Sequence, residues 1–250
     1  MIILSLETAT LGGSVFLGRG SMQLAARQGD PQVSQSSSLL SDINHALLEA
    51  GVSLQEVDLF ACAAGPGSFT GLRIGIATLK ALAASLKRPC VGIPTLPAVA
   101  HSAGPSNATV ALLPAGRGEL FAQMFSVSED DTIIELDAAA HLSPRRLVEK
   151  YAGIANLKWA GNGAYLQRDF LKNFAEQQGI NFAEHASELN APLTQECSNI
   201  WRLAAKETNL AKHVAVLALR AFETGKLQTP YSVSAIYVRP SDAELKEQCH

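Results

Sequence analysis

Apolar positions in the first hundred residues switch between short continuous runs and helical spacing, and the switches mark elements. Residues 2–6 are an apolar run of strand length, the Gly12-Gly13 pair marks a tight turn, and 14–17 reads as the returning strand. A third strand over 22–26 completes a meander. Over 36–50, Leu39, Leu40, Ile43, Leu47 and Leu48 recur at helical spacing, with serines before them able to cap and Gly51 after them as a stop. Residues 57–64 predict a buried strand that ends at a glycine-proline turn, 70–86 a second helix, and 90–93 another strand after Pro89. A meander followed by strand, helix and strand predicts an α/β fold whose sheet mixes antiparallel and parallel pairs.

Beyond residue 103 the pattern is sparser. The polar, turn-rich stretch 104–110 reads as a hinge, 110–127 as two strands around a Gly-Arg-Gly turn, and 196–207 and 213–226 as helices. From Thr229 the tail carries Pro230 and Pro240 and reads as extended. The expected organisation is a first lobe over 1–103, a second over 104–225 whose last helices can pack back on the first, and a tail over 226–250.

Composition narrows the function classes. A chain of 250 residues with 47% hydrophobic content can bury one sizeable core or two smaller ones. A formal net charge of −3 leaves no global basic field for gripping nucleic-acid phosphates. Cys62, Cys90, Cys197 and Cys249 form no C-x-x-C pair, which argues against a zinc knuckle and a disulfide framework, and Cys62 and Cys90 read as buried thiols. The N-terminus lacks a basic segment and meets Glu7 early, unlike a signal peptide. No run approaches the roughly 18–20 apolar residues of a membrane helix. A cytoplasmic protein without membrane contact is expected.

The stretch AAGPGSFTGLRIGIATLKALAASL, residues 63–86, is the densest in glycine. It is no Walker A loop, because Gly71 is followed by Leu72 and Arg73 rather than Lys-Ser/Thr. It is no dinucleotide fingerprint, because Gly71 falls one position late after Gly65 and Gly67, and Pro66 stiffens the turn. It is no nucleophile elbow either, since Ser68 follows Gly67 directly, and Ser68 reads as a turn or cap residue. Gly71 and Gly75 share one side of the helix with Thr78, while Leu72, Ile76, Leu79, Ala83 and Leu86 form a larger apolar stripe. Each interior glycine costs roughly 1 kcal/mol against alanine, so close backbone approach is expected in return. Spacing leaves two readings open: the small face packs under the neighbouring helix 36–50, or the two helices together face another subunit.

Other chemistry is thin. The six histidines include no pair at metal-ligand spacing and no H-E-x-x-H, so no metal site is expected. Glu7, Thr8 and Thr10, followed by Gly12-Gly13-Ser14, have the layout of a hairpin phosphate-binding turn in which a carboxylate holds hydrated magnesium. Arg73 near its helix N-terminus opposes the helix dipole and is expected to take a surface ion pair, with a carboxylate or phosphate partner as the alternative.

These residues carry a family resemblance. LSLETATLGGSVFL resembles the opening strands of the TsaB (YeaZ) family, and GPGSFTGLRIGIATLKALA, with Gly65, Pro66, Gly67, Ser68, Phe69 and Arg73, resembles its signature. GIPTLPAVA (92–100) and IYVRPSDAEL (236–245) match in order. The match is dense over 2–100 and sparse from 101 to 235.

The resemblance implies a two-lobed α/β fold of the actin-like ATPase and sugar-kinase superfamily, mixed sheet and flanking helices in each lobe, without catalytic residues. It implies a scaffold that works beside the catalytic subunit TsaD and the ATPase TsaE to place a threonylcarbamoyl group, delivered as threonylcarbamoyl adenylate, on the tRNA adenosine next to the anticodon. It further implies a homodimer when TsaD is absent, tRNA met mainly through partners, and no cofactor of its own, ATP and metal being held by partners. The family's interface falls on two helices, here beginning near Ser36 and Thr70. The interface residues so implied are Ser36, Leu39, Leu40, Ile43, Leu47, Thr70, Gly71, Ile74, Gly75, Thr78, Leu79 and Leu82, which makes the glycine stripe an inter-subunit surface.

Several positions depart from the family pattern. Glu7 replaces a common aspartate, Gln35-Ser36 a common His-Ser, and Pro114 stands where an aspartate precedes the motif that Arg117, Gly118 and Glu119 partly keep, which marks the second lobe as a divergent copy. The alternative functions are an independent kinase using Glu7 and Thr8, and a peptidase, for which no nucleophile–base pair is found.

Overall fold

The computed structural model describes residues 1–184 and 199–238. In chain order these form β1 (Ile2–Glu7), β2 (Ser14–Arg19), β3 (Met22–Gln28), α1 (Gln35–Ala50), β4 (Leu59–Gly65), α2 (Phe69–Leu86), β5 (Cys90–Pro94) and α3 (Thr95–Ser102). Next come β6 (Ser106–Gly116), β7 (Glu119–Val127), β8 (Ile133–Glu135), β9 (Ala140–Leu142), α4 (Pro144–Tyr151), β10 (Lys158–Ala160), α5 (Asn162–Leu166) and α6 (Arg168–Gln177). The series closes with β11 (Asn181–Glu184), β12 (Ile200–Leu203) and α7 (Leu210–Glu223). The chain divides into two compact units, Met1–Ala98 with Thr208 onward, and Val99–Glu207. The divisions thus fall at 98/99 and 207/208 rather than after 103 and 225, and the C-terminal helix belongs to the first unit.

The first unit is built on a five-stranded sheet in the order β3-β2-β1-β4-β5. β1, β2 and β3 pair antiparallel, as the meander predicts, while β1–β4 and β4–β5 are parallel. Central β1 is buried along its whole length, as a strand covered on both faces must be. Leu4 and Leu6 point into one core with Leu39, Ile43 and Leu47 of α1 and Ile76, Leu79 and Ala83 of α2. The alternate residue Ser5 donates its hydroxyl to Ala211 O of α7 on the opposite face, at 2.6 Å. Gly51 closes α1 in the left-handed conformation, φ 62°, where a Cβ would cost most.

The apolarity of α2 follows from this packing. Among the described residues it is the one helix long and apolar enough to cross a membrane by length and composition, contrary to the expectation that no run reaches that length. Its Leu72, Ile76, Leu79 and Ala83 are buried inside the unit, whereas Arg73 is exposed.

The second unit carries the sheet order β11-β12-β10-β6-β7-β8, with β9 on β7. The hairpin around Gly116-Arg117-Gly118 forms as expected, all three residues having positive φ. The 104–110 stretch, read as a hinge, instead leads into β6. The helix expected over 196–207 is also corrected: residues 200–203 are β12, and 196–198 lie outside the described residues. Trp201 and Leu203 point inward at the two-residue period while Arg202 alternates outward, and in so short an apolar run that period competes with the helical one. Trp159 and Trp201 meet edge to face, centroids 4.9 Å apart, at the centre of this core. Asp137 ties its elements, accepting from Met124 N–H at 2.7 Å and Tyr151 O–H at 2.8 Å.

Candidate functional site

The end of β1, the turn behind it and the start of α2 form one packed cluster. A Cβ on Gly71 would overlap the carbonyl oxygen of Thr8, and a Cβ on Gly75 would overlap the Thr8 hydroxyl. Both glycines are buried. The glycine stripe is therefore corrected from an inter-subunit surface to an intramolecular seat for the Thr8 backbone and side chain. The start of α1, the other intramolecular candidate, also reaches this seat: a Cβ on Gly71 would lie 2.7 Å from Gln35 Oε1.

The hairpin carboxylate is likewise committed within the chain. Glu7 is 1% exposed, and its two oxygens accept from Thr10 N–H and Thr10 O–H, both at 2.7 Å. Burial pushes its carboxyl above the ordinary range, with the Thr10 bonds opposing the shift. Gln35 donates from Nε2 to Thr10 O at 2.8 Å and fastens the start of α1 to the turn. Glu7, Thr8, Gly12, Gly13, Gln35 and Asp42 line a small cleft at this turn. Both Glu7 oxygens are turned onto Thr10 rather than outward toward a phosphate-bound metal. Thr8 Oγ1 is buried without a hydrogen-bond partner among the described residues and faces Gly75.

The signature loop is held from both sides. Gly65 has φ 116° and donates its N–H to Thr95 Oγ1 at 3.0 Å. Gly67 lies where a Cβ would meet Ala9 O at 2.6 Å, and the next N–H, that of Ser68, donates to the same oxygen at 2.8 Å. Ser68 is the N-cap expected, its Oγ accepting from Gly71 N–H at 3.2 Å. The ion pair expected of Arg73 is not made among the described residues. Its guanidinium lies 3.9 Å over the Phe69 ring instead, and Phe69 packs on Tyr237 at 5.3 Å between centroids.

The twelve residues implied as an interface divide by exposure. Leu39, Ile43, Leu47 and Leu79 are core residues, and Gly71 and Gly75 serve Thr8. Ile74 and Leu82 are half-buried against the same core, Thr78 is half-buried, and Ser36, Leu40 and Thr70 are exposed. Leu40 is 66% and Leu48 70% exposed. Eight residues apart, they share the α1 face that also bears Ser36 and Asn44. Leu48 was absent from the implied set; its spacing from Leu40 was the available signal. α2 exposes Thr70, Arg73, Ala77, Ala81, Ala84 and Ser85. Two adjacent helices thus present leucines and small side chains to solvent.

Both described cysteines, Cys62 and Cys90, are buried free thiols. Burial pushes Cys62 up to about 12, which removes it from thiolate chemistry. Cys197 and Cys249 lie outside the described residues. Among the described residues no group of three His, Cys, Asp or Glu side chains is placed to hold a metal.

Comparison with known proteins places this geometry among relatives. The sequence profile described as "TsaD: tRNA N6-adenosine threonylcarbamoyltransferase" matches residues 33–237. The chain is 30% identical over 153 residues to the tRNA threonylcarbamoyladenosine biosynthesis protein TsaB of Escherichia coli, covering 60% of this chain and 66% of that protein. It is 49% identical over 51 residues to the tRNA N6-adenosine threonylcarbamoyltransferase of Chelativorans, covering 20% of this chain and 14% of that protein. These matches span two thirds or less of those relatives. The fold is that of a Pseudomonas aeruginosa protein described as similar to peptidase YEAZ, with TM-score 0.71, 24% identity, and coverage of 95% of this chain and 99% of that one.

Proposed function

The chain belongs to the tRNA N6-adenosine threonylcarbamoyltransferase (TsaD) family, in its TsaB (YeaZ) branch, and from that premise we propose that it is a non-catalytic subunit of threonylcarbamoyladenosine biosynthesis. It docks on a TsaD-type catalytic subunit through the outer face of α1 and α2, and in the absence of that subunit on a second copy of itself. TsaE, ATP and metal join through the catalytic subunit, tRNA is contacted mainly there, and the assembly works in the cytoplasm.

The observation that carries this reading is the exposure of Leu40 and Leu48 on α1, which packs next to α2. An apolar ridge flanked by a smooth helix surface suits helix-on-helix docking, because small side chains allow close approach and leucines fill the grooves between turns. The hairpin is consistent with the non-catalytic half, since both Glu7 oxygens are engaged by Thr10.

The test is threonylcarbamoyladenosine formation on a substrate tRNA with TsaD, TsaE and the threonylcarbamoyl-adenylate synthase, with and without this protein. Turnover that depends on adding it is expected, as is loss of that dependence with Leu40→Lys combined with Leu48→Lys. Equal turnover without the protein would overturn the reading, and the independent kinase would then be tested by asking whether Mg-ATP raises the melting temperature.

A further inference from the structure

We infer that residues 228–237 are an intramolecular strap that completes the edge of the first sheet and holds the signature loop and first turn of α2 in their docking conformation. β5 is the edge strand of that sheet, and an uncovered edge leaves backbone donors and acceptors unpaired. The strap covers it. Gln228 N–H donates to Cys90 O at 2.9 Å, and Gln228 Oε1 accepts from Gly92 N–H at 2.8 Å. Val233 is fully buried in the core shared with α1 and α2, and its Cγ1 would lie 3.1 Å from a Cβ on Gly92.

The strap then crosses the loop. Ile236 N–H donates to Ala64 O at 2.7 Å, and Ile236 O occupies the space that any Cβ on Gly65 would need. One residue on, the Tyr237 ring supports Phe69, whose other contact is the Arg73 guanidinium. One backbone bond and an aromatic contact therefore join the C-terminal segment to the turn from which α2 starts, while Gln228 and the buried Val233 hold it against β5. The glycine at position 65 is required by the strap as well as by its own positive φ.

The consequence for docking rests on the reading proposed above: Thr70 and Ile74, which border the outer face, lie within the turns that the strap steadies. Releasing Tyr237 frees Phe69 and Arg73, raises local opening of the loop and the first turn of α2, and weakens association with the partner.

The experiment uses the full chain with Tyr237→Ala, Tyr237→Phe and Ile236→Pro, the last of which removes the donor to Ala64. Amide hydrogen exchange over 66–74 should accelerate at least tenfold in Tyr237→Ala and Ile236→Pro. Exchange in β1–β3 should stay within twofold, and Tyr237→Phe, which keeps the ring, should match the parent. Binding to a TsaD-type subunit should weaken about tenfold in the two loosened variants. Unchanged exchange over 66–74 would overturn the strap, as would loosened exchange with binding undiminished. Should the parent protein itself fail to bind TsaD, the docking reading falls, and exchange alone decides the strap.

Discussion

Thr8 seats its side chain where a Cβ of Gly75 would have to lie, and its carbonyl where a Cβ of Gly71 would have to lie, so the loop after the first strand rests directly on the second helix. Gly75→Ala gains roughly 1 kcal/mol of helix propensity but forces a side chain into an occupied space, which costs about 1–3 kcal/mol. The expected outcome is a less stable protein by thermal unfolding. Thr8→Ala should rescue it, since it removes the hydroxyl and Cγ2 that clash. Gly71→Ala should be destabilised without rescue, because its obstacle is the Thr8 carbonyl of the main chain.

The orphaned Thr8 hydroxyl leads to a second prediction. A buried oxygen without a partner loses its hydration on folding and recovers nothing, whereas an apolar group of the same shape carries no such penalty. Thr8→Val should be neutral or more stable by about 1 kcal/mol in denaturant melts. A loss of more than about 1 kcal/mol would mean that the hydroxyl has a partner, such as a bound water.

Glu7 sets a pH dependence whose sign follows from its raised carboxyl. The folded state holds the proton more tightly than the unfolded state, so stability falls as pH rises from the ordinary carboxylate range through the raised folded value. Glu7→Gln keeps the shape and can keep both Thr10 contacts, with the Thr10 hydroxyl accepting instead of donating. Melting temperatures of the parent and Glu7→Gln should coincide near pH 4 and diverge as pH rises, the variant being the more stable at pH 7. Parallel curves over that range would contradict the assignment.

Leu39 and Leu40 are sequence neighbours with opposite duties. Leu39→Ala should cost about 2–5 kcal/mol of stability, because it opens a cavity between α1 and the sheet. Leu40→Ala should change stability by less than about 0.5 kcal/mol, since the side chain already faces water. Sedimentation or size-exclusion measurements with the partner should then weaken for Leu40→Ala without any shift in the melting curve.

The second unit can be followed alone by fluorescence, because both tryptophans of the chain, Trp159 and Trp201, lie in its core. Asp137→Ala strands the Met124 N–H and Tyr151 O–H that the carboxylate accepts, at about 1–3 kcal/mol for each group left without a partner. The tryptophan-detected transition should move to lower denaturant accordingly.

The sequence by itself determined the meander, the two apolar helices and the strand between them, because each is a local pattern. Period two, period 3.6 and glycine stops are written in neighbouring residues and need no distant partner. The same was true of Ser68 as a cap and of the Gly-Arg-Gly hairpin. Residues 200–203 show the limit: a short apolar run satisfies both periods, and only the pairing of β12 with β10 and β11 decides between them. The glycine stripe shows it more sharply. Spacing announced that something approaches α2 closely, but Glu7 and Thr8 are brought there by the sheet and Gln35 by the start of α1, from positions remote in the chain. What lies against a helix is a long-range steric fact, so tertiary structure alone made Gly71 and Gly75 internal, left Leu40 and Leu48 outside, and carried Tyr237 back onto Phe69.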